Sequence, residues 1–370
     1  MKIGIATIVD YKNYGNRLQN YALQEVLKSL GAEVETIVNQ PYRPEDNRSA
    51  LVRYMERMKE LGIKGNVSRV SEKLKGDPKE KLLNEKKRQF KEFSDKYINE
   101  TDYTVDPLAI PNTLRDQYDF FVTGSDQVWN PTYRKGSPFD FLAFAPVNKR
   151  VAYAPSFGVA TIPDEFKENY TKWLSECASL SVREDAGAQI IESLTGRQAP
   201  VLVDPTLLLS KNDWLTFAKP AKVKPQNKYL LTYYLGKLAN DKQELIQEVA
   251  KEHDLQIVNL ADYDDADFYT LTPDEFVDMI NSAAVFFTDS FHGAVFSILL
   301  EKPFVVFERV SKVPSMNSRI DTLLNKFELI DRKFEAINKD NLFDIDYSHI
   351  SPILEKERNK SLSYLNQAFQ

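Results

Sequence analysis

The sequence predicts an α/β protein of two doubly wound parallel-sheet domains facing a cleft, with a helical insertion in the first domain. Three observations predict it. Short apolar runs alternate with segments of helical periodicity from the first residues onward. The alternation halts at a polar, proline-bearing stretch and then starts again. A strongly basic stretch interrupts the first series. The chain has 370 residues, and at roughly 150 residues per domain that length fits two domains.

Residues 3–9 form an apolar run bounded by polar residues, which predicts a strand. In residues 16–30, Leu18, Ala22, Val26 and Leu30 fall on one helical face. Gly31 suits a helix C-cap, and residues 34–38 predict the second strand of a βαβ opening. Residues 48–96 then carry 15 basic and 8 acidic side chains, a local net charge of +7. Within them Leu51, Met55, Met58 and Leu61 suggest one helix; Leu82, Leu83, Phe90, Phe93 and Tyr97 suggest another. Strands at 118–123, 151–154, 180–182 and 201–203 resume the rhythm, with helices at 167–177 and 186–194. Pro205, Pro220 and Pro225 mark a junction around 210–227. The second series has strands at 229–234, 255–260, 284–288 and 304–307. Its helices are 241–253, 273–281, which opens on a proline, and 292–300. The amphipathic tail, 353–369, suits a helix. The expected organisation is a first domain over 1–208 with a basic helical insertion over 43–117, and a second domain over 209–348. A C-terminal helix within 349–370 would pack back on the first domain.

Composition removes several function classes. Apolar residues at 42% and aromatic residues at 12% exclude global disorder. Cys177 is the single cysteine, so no intrachain disulfide forms. With only His253, His292 and His349 beside it, a Cys- or His-rich metal centre is not expected. No run approaches the ~20 apolar residues that cross a bilayer. The run at 3–9 is shorter than a signal-peptide core and lacks a cleavage signature, so a cytoplasmic protein is expected. The whole chain carries −6, so the part outside 48–96 carries −6 − 7 = −13. That balance argues against nucleic acid as a partner. No metal-ligand spacing, Gly-x-Ser-x-Gly elbow, Walker loop or dinucleotide fingerprint occurs.

Parallel α/β domains bind ligands beyond the carboxyl ends of their strands. After the first strand come Asn16, Arg17 and Gln19, with Tyr11 and Tyr14 beside them, groups suited to sugar rings and hydroxyls. After the strand at 118–123 come Gly124, Ser125, Asp126, Gln127 and Trp129, more hydrogen-bonding groups than an ordinary turn needs. Arg183 follows the strand at 180–182 and suits a phosphate or carboxylate. After the strand at 284–288 come Asp289, Ser290, His292 and Gly293, an acid, a hydroxyl and an imidazole at a strand-to-helix turn. The free N–H groups of that helix start would also face an anion. Arg309, Lys312 and Arg319 add positive charge further on.

Five motifs, in order, resemble the polysaccharide pyruvyl transferase family: Tyr14-Gly15-Asn16-Arg17-Leu18-Gln19, Gly124-Ser125-Asp126-Gln127-Val128-Trp129-Asn130, Ser181-Val182-Arg183-Glu184, Val203-Asp204-Pro205-Thr206 and Thr288-Asp289-Ser290-Phe291-His292-Gly293. The resemblance spans about residues 3–312. It implies two Rossmann-like domains in a glycosyltransferase-B-like arrangement. It implies phosphoenolpyruvate as co-substrate, with no cofactor or metal, and a glycan acceptor that receives pyruvate as a ketal in cell-surface or exopolysaccharide biosynthesis. Arg183, His292 and Lys312 would match the family's donor-binding cations, with Ser290 and Gly293 beside them. His292 would be the general acid or a phosphate ligand, and Asp126 or Asp289 would take a proton from the sugar. Asn16, Gln19, Ser125, Gln127 and Trp129 would hold the acceptor. Family members often carry an arginine directly before the Phe-His pair; here that position is Ser290. The basic stretch 48–96 suits peripheral contact with an anionic membrane, where a lipid-linked acceptor would sit at the inner face; its plain alternative is a solvated helical pair. Two other functions fit the same residues. One is a nucleotide-sugar-dependent glycosyltransferase of the same fold. The other is a non-catalytic glycan-binding relative.

Overall fold

The computed structural model describes residues 1–44, 77–309 and 318–370. Two four-stranded parallel sheets organise it. The first contains β1 (Lys2–Ala6), β2 (Glu33–Thr36), β3 (Phe120–Thr123) and β4 (Arg150–Ala152) in the order β2-β1-β3-β4. The second contains β5 (Tyr229–Tyr233), β6 (Gln256–Asn259), β7 (Val285–Thr288) and β8 (Phe304–Val306) in the order β6-β5-β7-β8. The inner strands read as nearly continuous apolar runs because helices cover both faces of a parallel sheet, whereas the edge strands β2 and β6 carry Glu33, Glu35, Gln256 and Asn259. In both sheets the strand order switches sides between the first strand and the third, at β1/β3 and at β5/β7. That switch is where such sheets leave a crevice for ligands.

The helices of the first part are α1 (Tyr14–Ser29), α2 (Pro78–Tyr97), α3 (Pro131–Arg134), α4 (Asp164–Ser175) and α5 (Asp185–Thr195). Those of the second are α6 (Lys211–Phe217), α7 (Asn240–Glu252), α8 (Ala266–Tyr269), α9 (Pro273–Ser282), α10 (Phe291–Leu299) and α11 (Ser318–Lys326), followed by α12 (Ile350–Ala368). Two expected strands are corrected. Residues 180–182 and 201–203 meet only in the single bridge Val182↔Val201, because each run is cut after three residues by Arg183 or by Asp204-Pro205. The polar junction hides α6, which a reciprocal capping box between Ser210 and Asp213 starts.

Helix α2 carries the second half of the basic stretch. Asp77 caps it by accepting from the Lys79 N–H, and Pro78 opens it. Its apolar face turns inward: Phe90 and Phe93 are buried, and the Phe90 ring lies 5.0 Å from that of Tyr14. Leu51, Met55, Met58 and Leu61 lie outside the described residues, as does most of the stretch proposed for membrane contact. Tyr14 in turn stacks on Phe276 of α9 at 4.4 Å, so α1 joins one core with the second domain. At the chain's end, Leu365 of α12 is buried in the core of the first sheet, and the Tyr364 hydroxyl donates to the Ala152 carbonyl at 2.8 Å. Among the described residues no helix is long and apolar enough to cross a membrane.

Candidate active site at the domain interface

The loops after β1 and β3 are tied together by amides of α1. Asn16 Oδ1 accepts from the Asp10 N–H at 3.0 Å, and its Nδ2 donates to Asp126 Oδ2 at 3.0 Å. Gln19 Oε1 accepts from the Ser125 N–H at 3.0 Å, and its Nε2 donates to Thr7 Oγ1 at 3.1 Å. Both amides are buried and satisfied, so they brace the loop that presents Asp126. Arg17, beside them, pairs with Glu100 at 2.7 Å. Gly124 sits at φ +133°, and a Cβ there would lie 1.9 Å from the Tyr153 carbonyl oxygen.

Asp204 is the hub of the interface. Its Oδ2 accepts from Arg183 Nη1 at 2.7 Å and from Ser125 Oγ at 2.8 Å. Its Oδ1 accepts from the Thr206 N–H at 3.1 Å and from Thr206 Oγ1 at 2.7 Å. His292 Nε2 stands 3.4 Å from Oδ2, an ion-pair distance whose geometry is not that of a hydrogen bond. Burial alone would raise the Asp204 carboxyl. His292 and then Arg183 outweigh burial and hold it well below the usual carboxylate range. Asp126 is also held low: burial opposes this, but Arg183, His292 and the Asn16 bond outweigh it. Asp10 goes the other way. Burial raises it against Lys12 and Arg17, and nearby Asp126 adds to the rise.

His292 lies in the first turn of α10. Ser290 caps that helix, its Oγ accepting from the Gly293 N–H at 3.3 Å. The imidazole packs on Gly15 of α1, where a Cβ would fall 2.1 Å from Nδ1. Only a glycine at position 15 leaves room for the ring. The Arg183 guanidinium lies 4.3 Å over the Phe291 ring. Its Nε and Nη2 are buried without a hydrogen-bond partner among the described residues, as is His292 Nε2. Arg319 of α11, also buried, lies 5.9 Å from the same ring.

The structure therefore brings Ser125, Asp126, Arg183 and His292 together, with Asn16 and Gln19 behind Asp126. Two expectations change. Trp129 does not offer a ring to a sugar: it is buried, stacked on Phe141 at 5.2 Å, with its indole N–H donating to the Asp140 carbonyl at 3.0 Å. Large apolar area drives it into the core. Asp289 belongs to a different cluster. Its carboxylate accepts from the Leu235 and Gly236 N–H groups at 2.7 and 2.8 Å and from Arg309 Nε at 3.2 Å, so it anchors the loop after β5. Gln127 is half-buried and accepts from Asn130 Nδ2 at 2.8 Å. Gly293 packs against Thr288 of β7. Lys312 lies outside the described residues. Among those residues no group of three His, Cys, Asp or Glu side chains could hold a metal. Sequence reasoning gave no role to Asp204, although its strand-end position and Pro205 signalled a turn there. Nothing local in the sequence marks the burial of Arg319.

Arg183, His292 and Asp126 thus meet at one interface, with the Arg183 Nε and Nη2 and the His292 Nε2 atoms sealed from solvent. No curated protein gives a significant match. Solved structures of similar arrangement include a UDP-GlcNAc 2-epimerase from Methanocaldococcus jannaschii, 11% identical, covering 99% of each chain with a TM-score of 0.45. Another is the UDP-GlcNAc 2-epimerase from Neisseria meningitidis bound to UDP-GlcNAc, 9% identical, covering 98% of this chain and 94% of that one with a TM-score of 0.41. A third is the E. coli ADP-heptose LPS heptosyltransferase II, 11% identical, covering 97% of this chain and 99% of that one with a TM-score of 0.32. A family model for polysaccharide pyruvyl transferase matches residues 13–310, a span that takes in Gly15, Asp126, Arg183, Asp204 and His292. On that match the chain belongs to the polysaccharide pyruvyl transferase family.

Proposed function

We propose that the protein transfers pyruvate from phosphoenolpyruvate to a glycan as a ketal across two hydroxyls, in cell-surface or exopolysaccharide biosynthesis. The observation that carries this reading is the unpartnered edge of buried Arg183, Nε and Nη2, beside His292 Nε2. Burying such donors without partners is costly, and an anionic ligand would remove the cost. Phosphoenolpyruvate offers a phosphate and a carboxylate, and a guanidinium edge grips either in two parallel bonds.

The methylene carbon of the enol gains a proton, for which His292 is the general acid. The neighbouring carbon bonds to one acceptor oxygen, whose proton passes to Asp126. The carbon–oxygen bond to phosphate then breaks. The second acceptor oxygen bonds to the same carbon, and its proton leaves on the phosphate. Asp126 is suited to its part because Asn16 and Gln19 fix its loop. Gln127 is the remaining acceptor-side group at the loop's edge. No cofactor enters. The acceptor is read as a lipid-linked glycan at the cytoplasmic face of a membrane. The apolar face of α2 is already covered, so contact through that helix would rest on exposed lysines such as Lys79, Lys81 and Lys87.

A thermal-shift titration with phosphoenolpyruvate, inorganic phosphate and a panel of nucleotide sugars tests the donor. A ligand at 100 times its dissociation constant stabilises by roughly 2.7 kcal/mol. Selective stabilisation by phosphoenolpyruvate is the expected result; stabilisation by a nucleotide sugar alone would sink the reading. His292→Ala is expected to abolish ketal formation while Arg183→Ala weakens donor binding. Unchanged turnover in the first variant would remove His292 as the acid.

A further inference from the structure

Two buried guanidiniums share one narrow crevice. Arg183 and Arg319 line it with Asp204, Phe291, Thr322 and Lys326. Arg183 comes from the first domain and Arg319 from α11, and both pack on the Phe291 ring, at 4.3 and 5.9 Å. Buried like charges facing one ring repel each other. Burial, and then Arg183, push the Arg319 guanidinium down to about 10. Glu184 and Asp126 act against that fall, and Arg309 adds to it. Lys326 is answered by Glu357 at 2.9 Å. Asp204 answers Arg183 through Nη1 alone, leaving Nε and Nη2 without partners among the described residues.

We propose that Arg319 is a second anion-binding cation, so that the crevice takes one anionic group on Arg183 and another on Arg319, with Phe291 as the spacer between them. The site then selects ligands that carry two separated anionic groups over those that carry one. The inference rests on the pyruvyl-transfer reading only in naming phosphoenolpyruvate as such a ligand. It deepens that reading by assigning the specificity to a residue outside the strand-end motifs.

The test is a thermal and calorimetric titration of wild type, Arg319→Gln and Arg319→Lys with phosphoenolpyruvate, pyrophosphate, inorganic phosphate and pyruvate. Wild type should bind the two-anion ligands more tightly than phosphate or pyruvate. Arg319→Gln should lose about tenfold or more in affinity for the two-anion ligands, and about threefold or less for the single anions. Arg319→Lys should recover part of the loss. Equal phosphoenolpyruvate affinity in wild type and Arg319→Gln, or equal losses for all four ligands, would overturn the proposal. So would a lower melting point without ligand combined with unchanged ligand responses, which marks a structural role. Pyrophosphate binding that Arg319→Gln abolishes, with no response to phosphoenolpyruvate, would keep the two-anion site and discard the pyruvyl donor. No response of wild type to any two-anion ligand would overturn both.

Discussion

Asp204→Asn tests whether this carboxylate is the hub that holds the two domains' charges. The substitution keeps size and shape. Thr206 can still donate to the remaining carbonyl oxygen, which replaces Oδ1. Ser125 Oγ has a second acceptor in the Ala154 carbonyl at 3.1 Å. The loss therefore concentrates on Arg183, whose 2.7 Å bond would face an amide N–H, and on His292 at 3.4 Å. Removing one partner of a buried ion pair costs about 3–5 kcal/mol, and the kept bonds point to the lower end. If one domain of about 150–250 residues melts as the cooperative unit, ~3 kcal/mol corresponds to a melting decrease of roughly 6–12 °C, and to less if the whole chain melts together.

The same variant should respond more to anions. Asp204 competes with any donor for Arg183 and His292, so its loss leaves those cations in need of a counter-charge. Phosphate or phosphoenolpyruvate should then raise the melting point of Asp204→Asn more than that of wild type. The pH sign follows from the lowered carboxyl. Its contribution is complete above the unfolded value of ~3.9 and is lost only as pH falls through the still lower folded value. The Asp204 contribution should therefore be constant over pH ~5–8. A variant that melts with wild type and responds to phosphate no more strongly would refute the hub.

Three further perturbations address other links. Gly15→Ala drives a Cβ to 2.1 Å from His292 Nδ1; about 1–3 kcal/mol of stability and most of the phosphoenolpyruvate response should go together, and retention of both would deny the contact. Trp129→Phe removes the indole bond to the Asp140 carbonyl; it should cost about 0.5–1.5 kcal/mol in melts and leave acceptor KM unchanged, whereas a raised KM with intact stability would return Trp129 to the acceptor site. Lys86 of α2 is buried over the rings of Tyr14 and Tyr269 at 4.4 and 4.5 Å, and burial pushes its ammonium down to about 7. The unfolded chain binds the extra proton between pH ~7 and ~10.5, so stability should rise with pH across that window. The cost below it is at most roughly 5 kcal/mol, which the two rings reduce. Lys86→Met should raise the melting point at pH 6.5 and flatten that rise; an unchanged slope would deny the burial cost.

The fold was legible because its signals are local. The inner strands of both sheets are short apolar runs, and Leu18, Ala22 and Val26 announce α1 by spacing alone. Strand ends then located Asp126, Arg183 and His292 without any knowledge of packing. What stayed hidden depends on partners far away in the chain. Trp129 reads equally as a platform or a plug until Phe141 and Tyr170 are placed around its neighbourhood. Asp289 looks like a free acid until the Leu235 and Gly236 amides reach it. Lys86 sits in a basic stretch that suggests a solvated or membrane-facing helix, and only the closing of the second domain over Tyr14 buries it. Arg319 shares no pattern with Arg183; the Phe291 ring alone brings them together.

The split of the site across two domains has a mechanical consequence. Arg183, Asp204 and Gly15 come from the first domain; His292, Phe291 and Arg319 come from the second. The orphaned Arg183 and His292 atoms are sealed from water, so a donor reaches them only if the domains part. Parting would uncover Tyr14 and Phe276, stacked at 4.4 Å, and each such side chain costs about 1.5–3 kcal/mol to expose. A donor anion that pairs with Arg183 and His292 would favour reclosure, so binding and closure should be coupled. Hydrogen exchange reads this directly. Saturating phosphoenolpyruvate should slow exchange in the first turns of α1 and α10 together, since Gly15 and His292 pack on each other there. Slowing confined to α10 would mean that the donor binds one domain without closing the other, and the coupling would fall.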